Sequence, residues 1–166
     1  MLDLCRKNGS QEARRAGTGA EAEAMWRARR AISPALSRIA SGKLSEDIVV
    51  PRSRIPEMLQ RLDTIRARHD LQIINFGHAG DGNIHVNVMY DKKDSGRAAT
   101  AEEAVRDVLM AALDLGGTIS GEHGIGTTKK AFIKMEIEPE VLDLMKRIKK
   151  VFDPDGIMNP GKVFPS

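Results

Sequence analysis

Apolar positions recur along this chain with periods that change from segment to segment. From Glu21 to about Ile39, residues Trp26, Ile32, Leu36 and Ile39 follow helix-like spacings, with Pro34 placed to kink or divide the segment. "EDIVVP" then reads as a short strand stopped by Pro51. In "IPEMLQRLDTIRARHD", Ile55, Met58, Leu59, Leu62 and Ile65 show the three-and-four spacing of an amphipathic helix with Pro56 near its first turn. "LQIINF" and "NIHVNVMY" read as strands flanking "HAGDG", which has hairpin-turn composition. A helix from about Thr100 to Leu115, a short strand "TIS" opening into "GEHGIG", a helix "PEVLDLMKRIKKVF" and an irregular tail complete the pattern. Residues 1–20 are polar, glycine-dotted and aperiodic, and read as a linker or frayed entry. This order predicts the α+β class, an antiparallel or mixed sheet covered by helices.

Composition narrows the function classes. With 41% hydrophobic and 30% charged residues in 166, the chain suits a globular domain rather than a disordered or fibrous one. The net charge is only +3, and one Trp, one Tyr and four Phe are too few to interleave with basic residues as nucleic-acid surfaces do. Nucleic acid is therefore not an expected partner. Cys5 is the single cysteine, which excludes an internal disulfide, a Cys–Cys zinc cluster and a redox pair. No apolar run approaches the roughly 20 residues of a membrane span. The first residues lack the apolar segment of a secretory signal, and the expectation is a soluble, unexported, cytoplasmic chain.

The densest chemistry lies in "GHAGDGNIHVN", Gly77 to Asn87. A four-residue loop from Ala79 to Gly82 would set His78 opposite Asn83. Strand alternation would then put Asn83, His85 and Asn87 on one face, with His78, and Ile84, Val86 and Val88 on the other. Glycines permit the bend, and Asp81 suits fixing it through backbone contacts. A decorated turn and one side of a metal site both remain open on these residues alone. A third ligand is available in "GGTISGEHGIG", where glycines surround Glu122 and His123. Two imidazoles and a carboxylate with open positions form a recurring catalytic set for zinc or non-haem iron. With His78, His85 and Glu122 on an ion, His123 would be left for proton transfer; a glycine-rich turn with a surface Glu–His pair is the alternative.

Other features carry less. "GIMNPGK" has P-loop spacing, but Val163 stands where Ser or Thr belongs and Pro160 removes a backbone donor. "GEHGIG" has its glycines in the reverse of the dinucleotide-binding spacing. His69, ending a helix, is expected to be solvated, and Met58, Met110 and Met145 are expected in the core. Arg29 and Ser33, four apart, share one helix face.

Taken together, "EDIVVPRSRIPE", "GHAGDGNIHVNV", "GGTISGEHGIGTTKK" and "FDPDGIMNPGKVFP", in this order, resemble the C-terminal half of FAD-linked oxidases of the vanillyl-alcohol oxidase type. The branch resembled contains glycolate oxidase flavoprotein subunits, D-lactate dehydrogenases and D-2-hydroxyglutarate dehydrogenases. The resemblance covers residues 21–166, apart from the last residue, and implies a ferredoxin-like cap domain over a flavin held by a separate N-terminal FAD-binding domain, absent from this chain and supplied in cis or in trans. It further implies a divalent metal, zinc or iron foremost, on His78, His85 and Glu122, and His123 as catalytic base. Substrate contacts would come from Arg29, Ser33 and Asn87, and Asn159 would lie near the flavin ring. The implied reaction is oxidation of a D-2-hydroxy acid to the 2-oxo acid with hydride passing to FAD. The alternative is a non-catalytic binding domain that keeps the fold without a flavin partner. A homodimer, and peripheral membrane association through an electron acceptor, stay open.

Overall fold

A computed structural model describes residues 2–165. The chain divides into two compact units, Met1–Ile39 and Ala40–Ser166. In the first, α1 (Leu2–Lys7) and α2 (Gly19–Ala35) are followed by a 3-10 turn, Leu36–Arg38. Helix α1 thus falls inside the stretch expected as linker. Helix α2 is capped by Thr18, whose hydroxyl accepts from Glu21 N at 3.2 Å, while the Glu21 carboxylate accepts from Gly17 N at 2.6 Å. Pro34 sits in its last turn without dividing it, and no residue of α2 is buried.

The second unit is built on three strands, β1 (Gly42–Val49), β2 (Gln72–His78) and β3 (Asn83–Tyr90), with β3 between and antiparallel to both others. Helix α3 (Ile55–His69) joins β1 to β2, and α4 (Ser95–Asp114) follows β3. After α4, Thr118 makes one antiparallel bridge to Val49 on the outer edge of β1. Strand, helix, two strands, helix and a fourth strand reduced to one bridge is the split βαβ order of a ferredoxin-like fold. The α+β class is thereby established. The expected strand "TIS" shrinks to this bridge because the amides just beyond it, those of residues 121–123, turn to a side chain of β1 instead of a ladder.

One face of the sheet meets α3 and α4. Ile48, Ile73, Ile84, Val86 and Val88 pack there against Met58, Leu62 and Ile65 of α3 and Val105, Val108 and Leu109 of α4. Alanines 101, 104, 111 and 112 have no bulk to hold α4 away from the strands. Helix α4 starts five residues earlier than its periodicity predicts because Asp94 caps it, its carboxylate accepting from Gly96 N and Arg97 N. Helix α5 (Pro139–Phe152) buries only Leu142 and exposes Val141, Leu144, Ile148, Val151 and Phe152. Among the described residues no helix is long and apolar enough to cross a membrane.

Two side-chain expectations need correction. Met110 is 50% exposed, on the side of α4 turned away from the sheet, and Met145 is only half-buried; Met58 alone of the three is fully buried. His69 is half-buried rather than solvated, because its Nε2 lies 2.9 Å from Asp107 Oδ2 on α4. In urea denaturation, Met58→Ala should cost about 2–5 kcal/mol, and Met110→Ala should stay within about 0.5 kcal/mol.

Candidate metal centre

The face of the sheet opposite α3 and α4 carries the polar stripe. Asp47 on β1, His85 on β3 and Phe76 on β2 stand opposite one another across the three strands, so their side chains point the same way. The hairpin has the expected register: His78 pairs with Asn83. His78 O accepts from both Asp81 N and Gly82 N, and the Asp81 carboxylate accepts from Asn83 N at 3.1 Å. Gly82 is needed here on two counts. Its φ is +82°, and a Cβ would lie 2.0 Å from Val50 O.

His78 and His85 meet edge to face with ring centroids 5.5 Å apart. The loop after the Thr118 bridge brings Glu122 and His123 over them. Glu122 Oε1 lies 3.2 Å from His85 Nε2, and the His123 ring stacks on His85 at 5.3 Å with 24° between planes. Ligand atoms of His78, His85 and Glu122 all fall within 4.8 Å of one another. An ion at about 2.1 Å from each donor in tetrahedral geometry needs separations near 3.4 Å. Small rotations of the exposed His78 and Glu122 side chains would close that difference, while His85 is buried and fixed. The donor set thus fits a divalent cation with open positions. Burial lowers the His85 pKa, and the neighbouring His123 and His78 lower it further against the opposing pull of Glu122. A neutral His85 has the lone pair that a metal ligand requires.

A cavity of about 250 Å³ opens beside His123, bounded by Ser45, Gly126, Thr127 and Lys162 among others. Asn87, 1% exposed, shares the His85 face, but its amide is already engaged: Oδ1 accepts from the Ser45 hydroxyl at 2.9 Å and Nδ2 donates to Ile74 O at 3.1 Å. Asn159 lies in the tail with φ +49°. The tail is tied to the loop beyond His123, since Val163 N donates to Gly126 O at 2.8 Å and Lys130 Nζ to Gly161 O at 3.1 Å. Arg29 and Ser33 lie on α2 in the other unit, Arg29 half-buried and Ser33 exposed.

Asp47 and Lys129 carry no role in the sequence analysis, and Asn83 appears there only as a member of the His85 face. Asp47 is 0% exposed, and its Oδ2 accepts from the backbone amides of Gly121, Glu122 and His123 at 2.8, 2.6 and 3.0 Å. Lys129, also buried, donates to Asp47 Oδ1, to Asp47 O at 2.7 Å and to Ile119 O at 2.6 Å. The neighbouring Glu46 carboxylate lies 3.6 Å from Lys129 Nζ, and burial pushes its pKa up against that charge. Asn83, 5% exposed, has neither amide atom hydrogen-bonded among the described residues and packs directly on Gly121. A Cβ at Gly121 would come within 1.9 Å of Asn83 Nδ2, so the glycine allows the loop to lie against β3. The one sequence signal for Asp47 is its place in the short strand "EDIVV", where strand geometry turns adjacent Glu46 and Asp47 to opposite faces without showing what either meets.

Comparison with known proteins matches residues 1–163 to the family described as FAD linked oxidases, C-terminal domain. The chain belongs to this family. It is 40% identical over 161 residues to the glycolate oxidase subunit GlcD of Bacillus subtilis, covering 97% of this chain and 34% of that protein. It is 38% identical over 147 residues to a D-2-hydroxyglutarate dehydrogenase of Stutzerimonas stutzeri, covering 84% and 31%. Against a mitochondrial D-lactate dehydrogenase (cytochrome) of Arabidopsis thaliana it is 36% identical over 143 residues, covering 85% and 25%. The chain therefore spans about a third or less of the length of these relatives.

Burial works to raise the Asp47 pKa, but the bonds from Lys129 and from the Glu122 and His123 amides outweigh it and hold the carboxyl at about 2, below its ordinary 3.8. Its stabilising contribution is complete above the unfolded value and disappears as pH falls through the folded one. Melting curves by circular dichroism from about pH 5 to pH 2 should show a steep acid loss in the native chain and a flatter one in Asp47→Asn.

Proposed function

We propose that this domain is the substrate- and metal-binding part of a flavin-dependent dehydrogenase that oxidises a D-2-hydroxy acid, such as glycolate or D-lactate, to the 2-oxo acid. The observation that carries the reading is the convergence of His78, His85 and Glu122, with His123 stacked beside them at the mouth of a cavity. The names of the relatives, a glycolate oxidase subunit and dehydrogenases of D-2-hydroxyglutarate and D-lactate, support an enzyme over a non-catalytic binding domain.

His78, His85 and Glu122 hold a divalent cation in this reading, zinc or iron by the chemistry of the donors. When bound, the cation supplies Lewis acidity at the substrate oxygens and the flavin supplies the electron sink. The remaining work falls to the chain's own side chains. His123 Nε2 lies 3.8 Å from Glu122 Oε1 and its ring is half-exposed toward the cavity, within reach of a substrate hydroxyl whose proton it takes. The opposite nitrogen, Nδ1, faces Asp47 Oδ1 at 3.5 Å, an arrangement that favours an Nδ1-protonated ring with Nε2 open as base. Arg29 and Ser33 are assigned to the substrate carboxylate, Asn87 to the substrate, and Asn159 to the edge of the flavin ring, on the strength of the family resemblance. The FAD-binding domain and a small 2-hydroxy acid are the partners this reading requires.

Co-expression with a flavin-binding domain of the same family, followed by dye reduction with glycolate, D-lactate and D-2-hydroxyglutarate, tests the reading. Turnover with at least one acid is expected, and a chelator should abolish it. His123→Ala should lower kcat by about 10²–10⁴-fold while the protein retains its metal. Bound FAD with no dye reduction by any hydroxy acid would sink the proposal.

A further inference from the structure

We propose that Asp47 is the positioning residue of this site: its buried carboxylate, neutralised by Lys129, fixes the backbone that delivers Glu122 and His123 to His85. The inference rests on the metal reading above and adds what holds the loop half of the site in place. Glu122 and His123 side chains are 54% and 52% exposed, and their contacts with His85 cover only one side of each, so packing alone gives little hold on where they stand. The backbone supplies the rest. Three consecutive amides, those of Gly121, Glu122 and His123, converge on one oxygen, Asp47 Oδ2. Successive N–H groups arranged in this way form a concave anion site, and here an internal carboxylate fills it.

Lys129 completes the clamp. Its ammonium bonds the Asp47 carboxylate and the Asp47 and Ile119 carbonyls, so it joins β1 to both ends of the segment 119–129. Asp47 is also the register partner of His85, which places anchor and buried ligand side by side. Asp47 Oδ1 lies 3.5 Å from His123 Nδ1, so one carboxylate sets both the loop and the facing edge of the His123 ring. Sheet, loop and base are thereby referred to a single group.

Two measurements on the chain decide the matter. In the native protein, hydrogen exchange at the amides of Gly121, Glu122 and His123 should be at least about tenfold slower than at Gly124 and Gly126, which share the same exposed loop; equal exchange overturns the proposal. Co²⁺ titration followed by visible absorption should show native binding. The triple substitution Glu46→Gln, Asp47→Asn and Lys129→Met, which removes the buried charges of this cluster together, should weaken binding about 10–100-fold and alter the Co²⁺ absorption while core amide NMR signals stay in place. Binding within about twofold of native, with the same absorption, overturns it. If the triple variant fails to fold, the exchange comparison in the native chain still decides. A native chain that binds no Co²⁺ removes the metal reading, and slow or fast exchange at residues 121–123 then separately upholds or overturns the anchoring.

Discussion

A carboxylate removed from water between a sheet and a loop must be neutralised and hydrogen-bonded or it destabilises the fold around it. Asp47 meets that demand with the Lys129 ammonium on one oxygen and three backbone amides on the other. Replacing one partner alone would strand the other, which makes the pair a constraint rather than an ornament. The bridge between Val49 and Thr118, the turn of residues 121–123 onto β1 and the stacking of His123 on His85 all lie within a few residues of these contacts. A chain segment with many glycines and little apolar contact thus holds one course.

The two faces of the sheet divide the labour. Apolar side chains on one face bury against α3 and α4 and set the strands rigidly; the other face carries Asp47, His85, Asn83 and Asn87. His85 is the buried and fixed donor of the candidate centre, and His78 and Glu122 are exposed donors that can adjust to an ion. Such a mixture suits the cation site proposed above. The chain's membership in the family of FAD linked oxidases, C-terminal domain, is compatible with this division.

Local pattern made part of this legible. The hairpin from β2 to β3 is specified within a dozen residues by alternation and turn composition, so the pairing of His78 with Asn83 and the shared face of His85 and Asn87 could be read directly. Met58 could be assigned to the core from its spacing on α3. What could not be read depends on residues far apart in the chain. His69 is held by Asp107, 38 residues on, and Met110 is 50% exposed on α4 although Leu109 and Ala111 beside it are buried, which turns on where the helix meets the rest of the fold. Asp47 and Lys129 are separated by 82 residues, and the register of β1 on β3 that sets Asp47 beside His85 has no local signature. The fourth strand was overestimated for the same reason: its amides are taken by a distant carboxylate.

In the proposed reading His78, His85 and Glu122 hold a cation and His123 stays outside its coordination sphere. A crystal of the chain soaked in Zn²⁺ and measured at the zinc absorption edge tests it most directly. The account predicts one strong anomalous peak at about 2.0–2.2 Å from a nitrogen of His78, a nitrogen of His85 and a carboxylate oxygen of Glu122, with His123 unliganded. No peak at these residues, or an ion held by His123 in place of one of the three, would contradict it.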